Sequence, residues 1–271
     1  VNARFKGFKM NVLSLFDGIS AGQVALQRAG IKVEKYYASE IDKYAIQVTQ
    51  KNFPDTIQLG DITKLDGTPF EGKIDLIIGG SPCQSFSVAG KQGGFEGKSG
   101  LFWEYVRLLK EVNPKYFLLE NVKMKKEWRD VISEALSVEP IKINSSLLSA
   151  QQRHRLYWTN IPDVSQPEDK NILLKDILEQ GTVDRDKSYC IDANYWKGTN
   201  VDQYLKKKRR QIVYTENGFR KLSPTEVESL QTFQAGYTEG ISNTQRYKAL
   251  GNSWTVDVIA HILSFLKDNP T

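Results

Sequence analysis

Residues 11–160 alternate short apolar runs with amphipathic segments, and this is the feature that most restricts what the chain can fold into. That alternation predicts βαβ units and a mostly parallel sheet covered by helices on both faces. Strands are expected at Asn11–Phe16, Lys35–Ser39, Thr56–Leu59, Ile74–Ile78 and Tyr116–Leu119. Ser20 is placed to cap a helix running to Ala29 and closed by Gly30, and Asp42 to cap one that Phe53-Pro54 ends. Leu101–Val112 reads as a further helix. The stretch Ser85–Gly100 is rich in Gly, Ser and Lys and lacks periodicity, so a loop is expected there, in the position of a lid.

Periodicity weakens from Pro162 to Phe219, where a small irregular lobe is expected. Ser223-Pro-Thr-Glu226 has capping-box spacing with proline at the first helical position, which predicts a helix to Phe233. A last helix is expected over Trp254–Leu266, with an apolar stripe that includes Val258, Ile259 and Ile262. The expected organisation is therefore 10–161, a lobe at 162–219, and a segment 220–271 that returns to the first unit. Met10 directly precedes the first strand, and residues 1–9 are expected to stand outside the fold as a leader or remnant.

The 271 residues, 40% hydrophobic and 25% charged, suit a globular protein with one full core and a smaller lobe. Only Cys83 and Cys190 are present, without CxxC or HExxH, which argues against a disulfide framework or a zinc site. No apolar run reaches membrane-spanning length. The net charge of +5 permits a polyanionic partner. Lys206-Lys-Lys-Arg-Arg210 lies among Tyr195, Trp196, Tyr204 and Tyr214, so either a nucleic-acid surface or a plain solvated face fits it.

Several strand ends carry groups with chemical capacity. Gly79-Gly-Ser-Pro-Cys83-Gln84 ends an apolar strand with a thiol after a rigid turn, where parallel α/β sheets bind ligands. A buried, inert cysteine is the competing reading of Cys83 taken alone. Phe16-Asp-Gly-Ile-Ser-Ala-Gly22 joins the first strand to the first helix, and it is not GxGxxG. Glu40 and Asp61 follow the next two strands. An acid after the second strand suits ribose hydroxyls, and one after the third can accept from an adenine amine, so the pair points to an adenosyl cofactor. Either acid could equally cap a helix. Glu120-Asn121 ends the fifth strand, and Gln151-Gln-Arg-His-Arg155 is either a second cationic group for that site or a solvated basic turn.

Phe16-Asp-Gly, Pro82-Cys83-Gln84, Glu120-Asn-Val, Gln151-x-Arg153-x-Arg155 and Gly251-Asn252-Ser253 occur in the order of the C5-cytosine DNA methyltransferases, which the chain resembles over nearly its whole length. Gln84, Gln151 and Asn252 follow the bacterial and phage pattern. Leu13-Ser-Leu-Phe-Asp-Gly-Ile19 and Leu250-Gly-Asn-Ser-Trp-Thr-Val256 are similar to the catalytic domains of animal de novo enzymes. The resemblance implies a doubly wound, Rossmann-like methyltransferase sheet with a small target-recognition lobe.

It also implies S-adenosyl-L-methionine as cofactor, with S-adenosyl-L-homocysteine as product. Cofactor contacts are expected at Phe16, Asp17, Gly18, Ile19, Gly22, Glu40, Ile41, Asp61, Ile62, Pro82 and Leu101, and at Asn252, Ser253 and Trp254 from the returning carboxyl-terminal segment. Cys83 is then the nucleophile that adds to C6 of cytosine. Glu120 is expected at N3 and the exocyclic amine, Arg155 at O2, and Arg153 supporting the loop or a phosphate. Neither His154 nor His261 is an evident base for the C5 proton, which leaves water as its acceptor. The partner is double-stranded DNA with the target base flipped out, touched by Gln84 and Ser87 and by Asn194, Tyr195 and Lys197 of the lobe.

The resemblance further implies a monomeric, cytoplasmic protein of bacterial or phage origin, away from membranes, with a cognate restriction endonuclease sharing its site. A tRNA cytosine-C5 methyltransferase of the same family is the nearest alternative. A non-catalytic regulatory homologue is disfavoured by the intact Cys83, Glu120 and Arg155, and a nicotinamide-dependent dehydrogenase by the missing GxGxxG.

Overall fold

A computed structural model describes residues 9–82, 100–198 and 200–266. Cys83, Gln84, Ser87 and the predicted lid, apart from Gly100, lie outside the described residues. The first half runs β1 (Met10–Leu15), α1 (Ala21–Arg28), β2 (Val33–Ser39), α2 (Lys43–Asn52), β3 (Ile57–Gln58), β4 (Leu76–Gly79), α3 (Leu101–Val112) and β5 (Tyr116–Val122). It continues with α4 (Lys126–Leu136), β6 (Ile141–Asn144) and β7 (His154–Thr159).

These strands form one sheet in the order β3-β2-β1-β4-β5-β7-β6. The first five pair in parallel. β7 runs antiparallel between β5 and β6. The chain builds outward from β1 to β3 and then crosses to β4 on the other side. The reversal between β1 and β4 is therefore the switch point, where a crevice opens beyond the strands' carboxyl ends.

Strand alternation sends side chains to two cores. Val12, Leu76, Ile78 and Leu118 join one apolar cluster, while Leu13, Leu15, Ile77 and Leu119 join the other. The second cluster is closed by the buried stripe Phe102, Tyr105, Val106, Leu108 and Val112 of α3. The first is closed by α1 and by a carboxyl-terminal helix over Val256–Leu263.

After the sheet come α5 (Val201–Lys207), the hairpin β8 (Ile212–Thr215) and β9 (Gly218–Lys221), α6 (Pro224–Leu230), α7 (Asn243–Asn252) and α8 (Val256–Leu263). Val256, Val258, Ile259, Ile262 and Leu263 of α8 are buried. Each such side chain contributes on the order of 1.5–3 kcal/mol by leaving water. Leu174, Ile191, Tyr195 and Val213 of the irregular region belong to the same cluster as α8. Lys187 ties that region to the sheet by donating from Nζ to the carbonyls of Ser146, Ser149 and Ile172.

Expected and observed elements differ at informative places. Asp42 caps α2, accepting from the N–H groups of Tyr44 and Ala45. The capping box at Ser223 is complete, with Glu226 N donating to Ser223 Oγ and Ser223 N donating to Glu226 Oε2. Ser20 does not cap α1. It sits in the left-handed region (φ 58°), and its hydroxyl donates to Asp17 instead.

β5 runs on to Val122 because β7 pairs with it, bringing Leu156 opposite Asn121 and Arg155 opposite Val122. The helix expected over Trp254–Leu266 occupies Val256–Leu263. α7 had no sequence expectation, because its residues Asn-Thr-Gln-Arg-Tyr-Lys carry no apolar stripe.

Candidate active site

A cavity of about 410 Å³ opens at the switch point. One end is built from three turns that follow β1, β2 and β3. The turn Phe16–Ser20 places Phe16, Gly18 and Ser20 at φ 58–59°. It is held by Asp17 N donating to Ser39 O (3.1 Å), Gly18 N donating to Glu40 Oε2 (2.8 Å) and Tyr237 Oη donating to Ile19 O (2.7 Å). Glu40 Oε1 accepts from the N–H groups of Ile41 and Asp42, both at 2.8 Å, so this one carboxylate joins two strand ends. Asp61 Oδ1 accepts from Thr63 N (3.0 Å) and Thr63 Oγ1 (2.9 Å), bonds that hold its carboxyl below the usual range.

Phe16, Gly18, Ile19, Glu40, Ile41, Asp61, Ile62, Pro82 and Leu101 all line the cavity, as do Asn252, Ser253 and Trp254. Ile41 is 74% exposed, an apolar side chain lying open at the mouth. Asp17 also borders it, but its carboxylate points inward, where Oδ1 accepts from Tyr36 Oη (2.8 Å) and Oδ2 from Ser20 Oγ (2.5 Å). Burial pushes that carboxyl up to about 6 against the lowering effect of its hydrogen bonds.

Gly22 corrects the sequence reading, because it does not line the cavity. A Cβ there would stand 2.3 Å from Ile78 Cδ1 and 2.8 Å from Tyr36 Oη, so the glycine lets α1 close on the sheet.

The other end is assembled from β5, β7 and the returning segment. Glu120 and Arg155 project from adjacent strands and form an ion pair, Arg155 Nε to Glu120 Oε1 at 2.8 Å, with both side chains mostly buried. Trp254 Nε1 donates to Glu120 Oε2 at 3.2 Å. Asn121 Nδ2 donates to Ser81 Oγ (3.0 Å) and clamps the turn that leads into Pro82. Cys83 follows directly in sequence.

Arg153 is buried rather than turned to a phosphate. Its Nη1 donates to Ile191 O (2.8 Å) and its Nη2 to Gly251 O (3.2 Å) and Ser253 O (2.7 Å), so it fastens the carboxyl-terminal segment to the sheet. Gln151 belongs to the same interior network, donating to Leu230 O (2.6 Å) and Gln231 Oε1 (3.0 Å). The reading of residues 151–155 as a solvated turn is thereby excluded.

Among the lobe residues expected on DNA, Asn194, just before the short turn Tyr195–Lys197, and Lys197, at its end, are exposed. Tyr195 is not available for such contact. It is 1% exposed, its hydroxyl donates to Gln211 O and accepts from Leu222 N, and its ring packs edge-on against Tyr247.

Two features escaped sequence reading. Cys190 lies against both arginines, its Sγ accepting from Arg153 Nη1 (3.3 Å) and Arg155 Nη2 (3.9 Å). Burial pushes this thiol up, but the two guanidiniums outweigh it and leave it below its ordinary value. α7 brings Gln245 and Lys248 to the cavity wall. No sequence spacing signals either, since both depend on how distant segments pack.

The sheet order and the cavity at its reversal define an α/β methyltransferase fold. EhMeth of Entamoeba histolytica, a methyltransferase of known structure, superposes with a TM-score of 0.75 over 96% of this chain and 98% of its own, at 17% identity. The chain matches C-5 cytosine-specific DNA methylases over residues 10–161 and 124–268, and it belongs to that family. The type II methyltransferase M.NlaX of Neisseria lactamica is 30% identical over 94% of this chain and 96% of its own length. The orphan methyltransferase M.SPRI of Bacillus phage SPR is 40% identical over 64% of this chain. That match spans 43% of the phage protein's length.

Proposed function

We propose that the protein transfers a methyl group from S-adenosylmethionine to C5 of cytosine in double-stranded DNA. The observation that carries this reading is the Glu120–Arg155 pair at one end of a cavity whose wall includes Pro82, the residue before Cys83. An acid and a guanidinium on adjacent strands offer complementary donors and acceptors to the N3–O2 edge of a pyrimidine.

The opposite end fits the cofactor. Gly18 leaves open space where a Cβ would stand. The carboxylates of Glu40 and Asp61 suit the sugar hydroxyls and an exocyclic amine, and Phe16, Ile41, Ile62 and Leu101 offer apolar surface to a purine. The bound cofactor supplies an electrophilic methyl group.

The chain's own residues make the pyrimidine ring reactive. Cys83 adds as thiolate to C6, and the electron pair of the C5–C6 bond moves onto the ring. Glu120 donates its carboxyl proton to N3 and accepts from the exocyclic amine with its other oxygen, and Arg155 donates to O2. C5 is then the nucleophile. Once it is methylated, its proton passes to water, and the electrons left behind expel Cys83 from C6 and restore the ring.

Because Glu120 and Arg155 lie within the cavity, a stacked base cannot reach them. The target nucleotide leaves the helix at a cost of about a few kcal/mol. Asn194 and Lys197 are assigned to the DNA backbone or bases, and Gln84 and Ser87 to the strand around the gap. The type II name of M.NlaX supports a restriction endonuclease acting on the same site.

Methyl-labelled cofactor offered with duplex DNA and, in parallel, with tRNA tests the reading. Label is expected in DNA, and a duplex carrying 5-fluorocytosine at the target is expected to trap the protein covalently. Label confined to tRNA overturns the substrate, and an absent adduct overturns the Cys83 step.

A further inference from the structure

Trp254 makes a hydrogen bond that a role in cofactor binding does not require. Its indole N–H is directed at Glu120, from a chain position 134 residues away. The carboxylate consequently has a donor on each oxygen, Arg155 Nε on Oε1 and Trp254 Nε1 on Oε2. Space for this contact is provided by Gly80. A Cβ on residue 80 would stand 2.9 Å from Trp254 Nε1 and 3.2 Å from Glu120 Oε2. The indole is itself fixed from behind, since the carbonyl of Ser253 accepts from Arg153 Nη2 (2.7 Å) and Gln231 Nε2 (3.2 Å).

We propose that Trp254 is a positioning residue for Glu120, an inference that rests on the function proposed above. An arginine and a carboxylate left to themselves favour the two-pronged arrangement, with both oxygens on one guanidinium. By donating to Oε2, the indole fixes that oxygen while Oε1 faces Arg155 Nε. Arg155 Nη1 donates to His154 O (2.9 Å), and Nη2 lies 3.9 Å from Cys190 Sγ. The plane of the Glu120 carboxylate is thereby set before a base arrives, so that no reorientation is left for the reaction step. Without the indole N–H, Glu120 turns onto the guanidinium and away from the base edge. Gly80 serves the same arrangement from the strand side.

Trp254→Phe keeps an aromatic wall and removes only the donor. It is expected to lower kcat for methylation of duplex DNA by about tenfold or more, the scale of one hydrogen bond to a charged group. Cofactor affinity, measured by titration, is expected to change by less than about threefold on the same scale. Gly80→Ala is expected to give a similar loss, and the double variant no more than either single one, because both remove one contact.

A readout without turnover comes from the indole N–H resonance of Trp254, assigned by its loss in Trp254→Phe. It is expected to shift in Glu120→Gln protein free of DNA and cofactor. Unchanged kcat in Trp254→Phe, or a resonance indifferent to Glu120→Gln, overturns the inference. A wild-type protein that methylates no DNA overturns the proposed function instead, and the resonance then decides the inference by itself.

Discussion

The two ends of the cavity are held by different kinds of bond. At the end lined by Glu40 and Asp61, carboxylates accept from backbone N–H groups close in sequence, as Asp42 does from Tyr44 and Asp61 from Thr63, each two residues on. Glu40 does the same for Ile41 and Asp42 and adds one longer tie to Gly18. At the end lined by Glu120 and Arg155, side chains reach across the molecule, Trp254 to Glu120 over 134 residues and Arg153 to Ser253 over 100. The first end draws chiefly on such local bonds, with one distant tie from Tyr237 Oη to Ile19 O over 218 residues. The second exists only when the carboxyl-terminal segment has docked, so damage there is expected to reach the whole fold, whereas damage at the first end should stay with the ligand.

The contrast is tested most strongly at Arg153. Replacing it with Met leaves the buried carbonyls of Ile191, Gly251 and Ser253 without this donor. Ser253 O keeps Gln231 Nε2 as a donor, so at about 1–3 kcal/mol for each of the other two carbonyls a loss of about 3 kcal/mol in unfolding free energy is expected. Urea denaturation measures it. A loss below about 1 kcal/mol would mean that the returning segment is held by the apolar contacts of α8 alone and that the two ends are not so different.

Asp17 supplies the next largest effect, and it lies at the end where local bonds prevail. Its carboxyl is pushed up to about 6, so the folded protein holds a proton that the unfolded chain releases near 3.8. Between those values the folded state binds more protons than the unfolded state, and stability therefore falls as pH rises, levelling off above pH 6. The span corresponds to about 3 kcal/mol at most. Asp17→Asn can still accept from Tyr36 and donate to Ser20. The difference in unfolding free energy between this variant and wild type is expected to widen in the variant's favour from pH 4 to 6 and then stay constant. A difference independent of pH would remove the buried-acid account of this turn.

How legible each end was follows from the same distinction. The acids after β2 and β3, the cap at Asp42 and the capping box at Ser223 depend on neighbours a few residues away, and the sequence shows both partners together. Gln151 to Arg155 shows only polar residues in a row. Nothing in that row says that Gln151 and Arg153 point inward to carbonyls supplied by α6, α7 and Ser253, or that His154 opens a strand that carries Arg155. α7 was illegible for a related reason, since it packs through Arg246 and Tyr247 rather than an apolar stripe. Arg246 pairs with the fully buried Glu228 at 2.9 Å, a polar contact that hydrophobic periodicity cannot register. Tyr195 misled in the opposite direction, because an aromatic beside cationic and amide residues has the composition of a nucleic-acid surface while its neighbours Ile191 and Leu222 draw it into the core.

The smallest global effect is expected at Glu40. Three N–H groups converge on its two oxygens, Ile41 and Asp42 on Oε1 and Gly18 on Oε2. Gln at this position offers a single acceptor, which can serve the adjacent pair or Gly18 but not both, and its amide then turns a donor toward the donors left over. Every N–H concerned lies close to the cavity, where water can take over part of the lost bonding. The cost to stability is therefore expected to be about 1 kcal/mol. Cofactor affinity should fall further, by about tenfold, because the Gly18 turn is no longer tied to the end of β2 and a carboxylate has gone from the sugar side. Titration with the cofactor, run beside urea denaturation, separates the two. Should Glu40→Gln destabilise the fold as much as Arg153→Met, the turns after β1 and β2 would have to be as deeply coupled to the rest of the chain as the Glu120 end is.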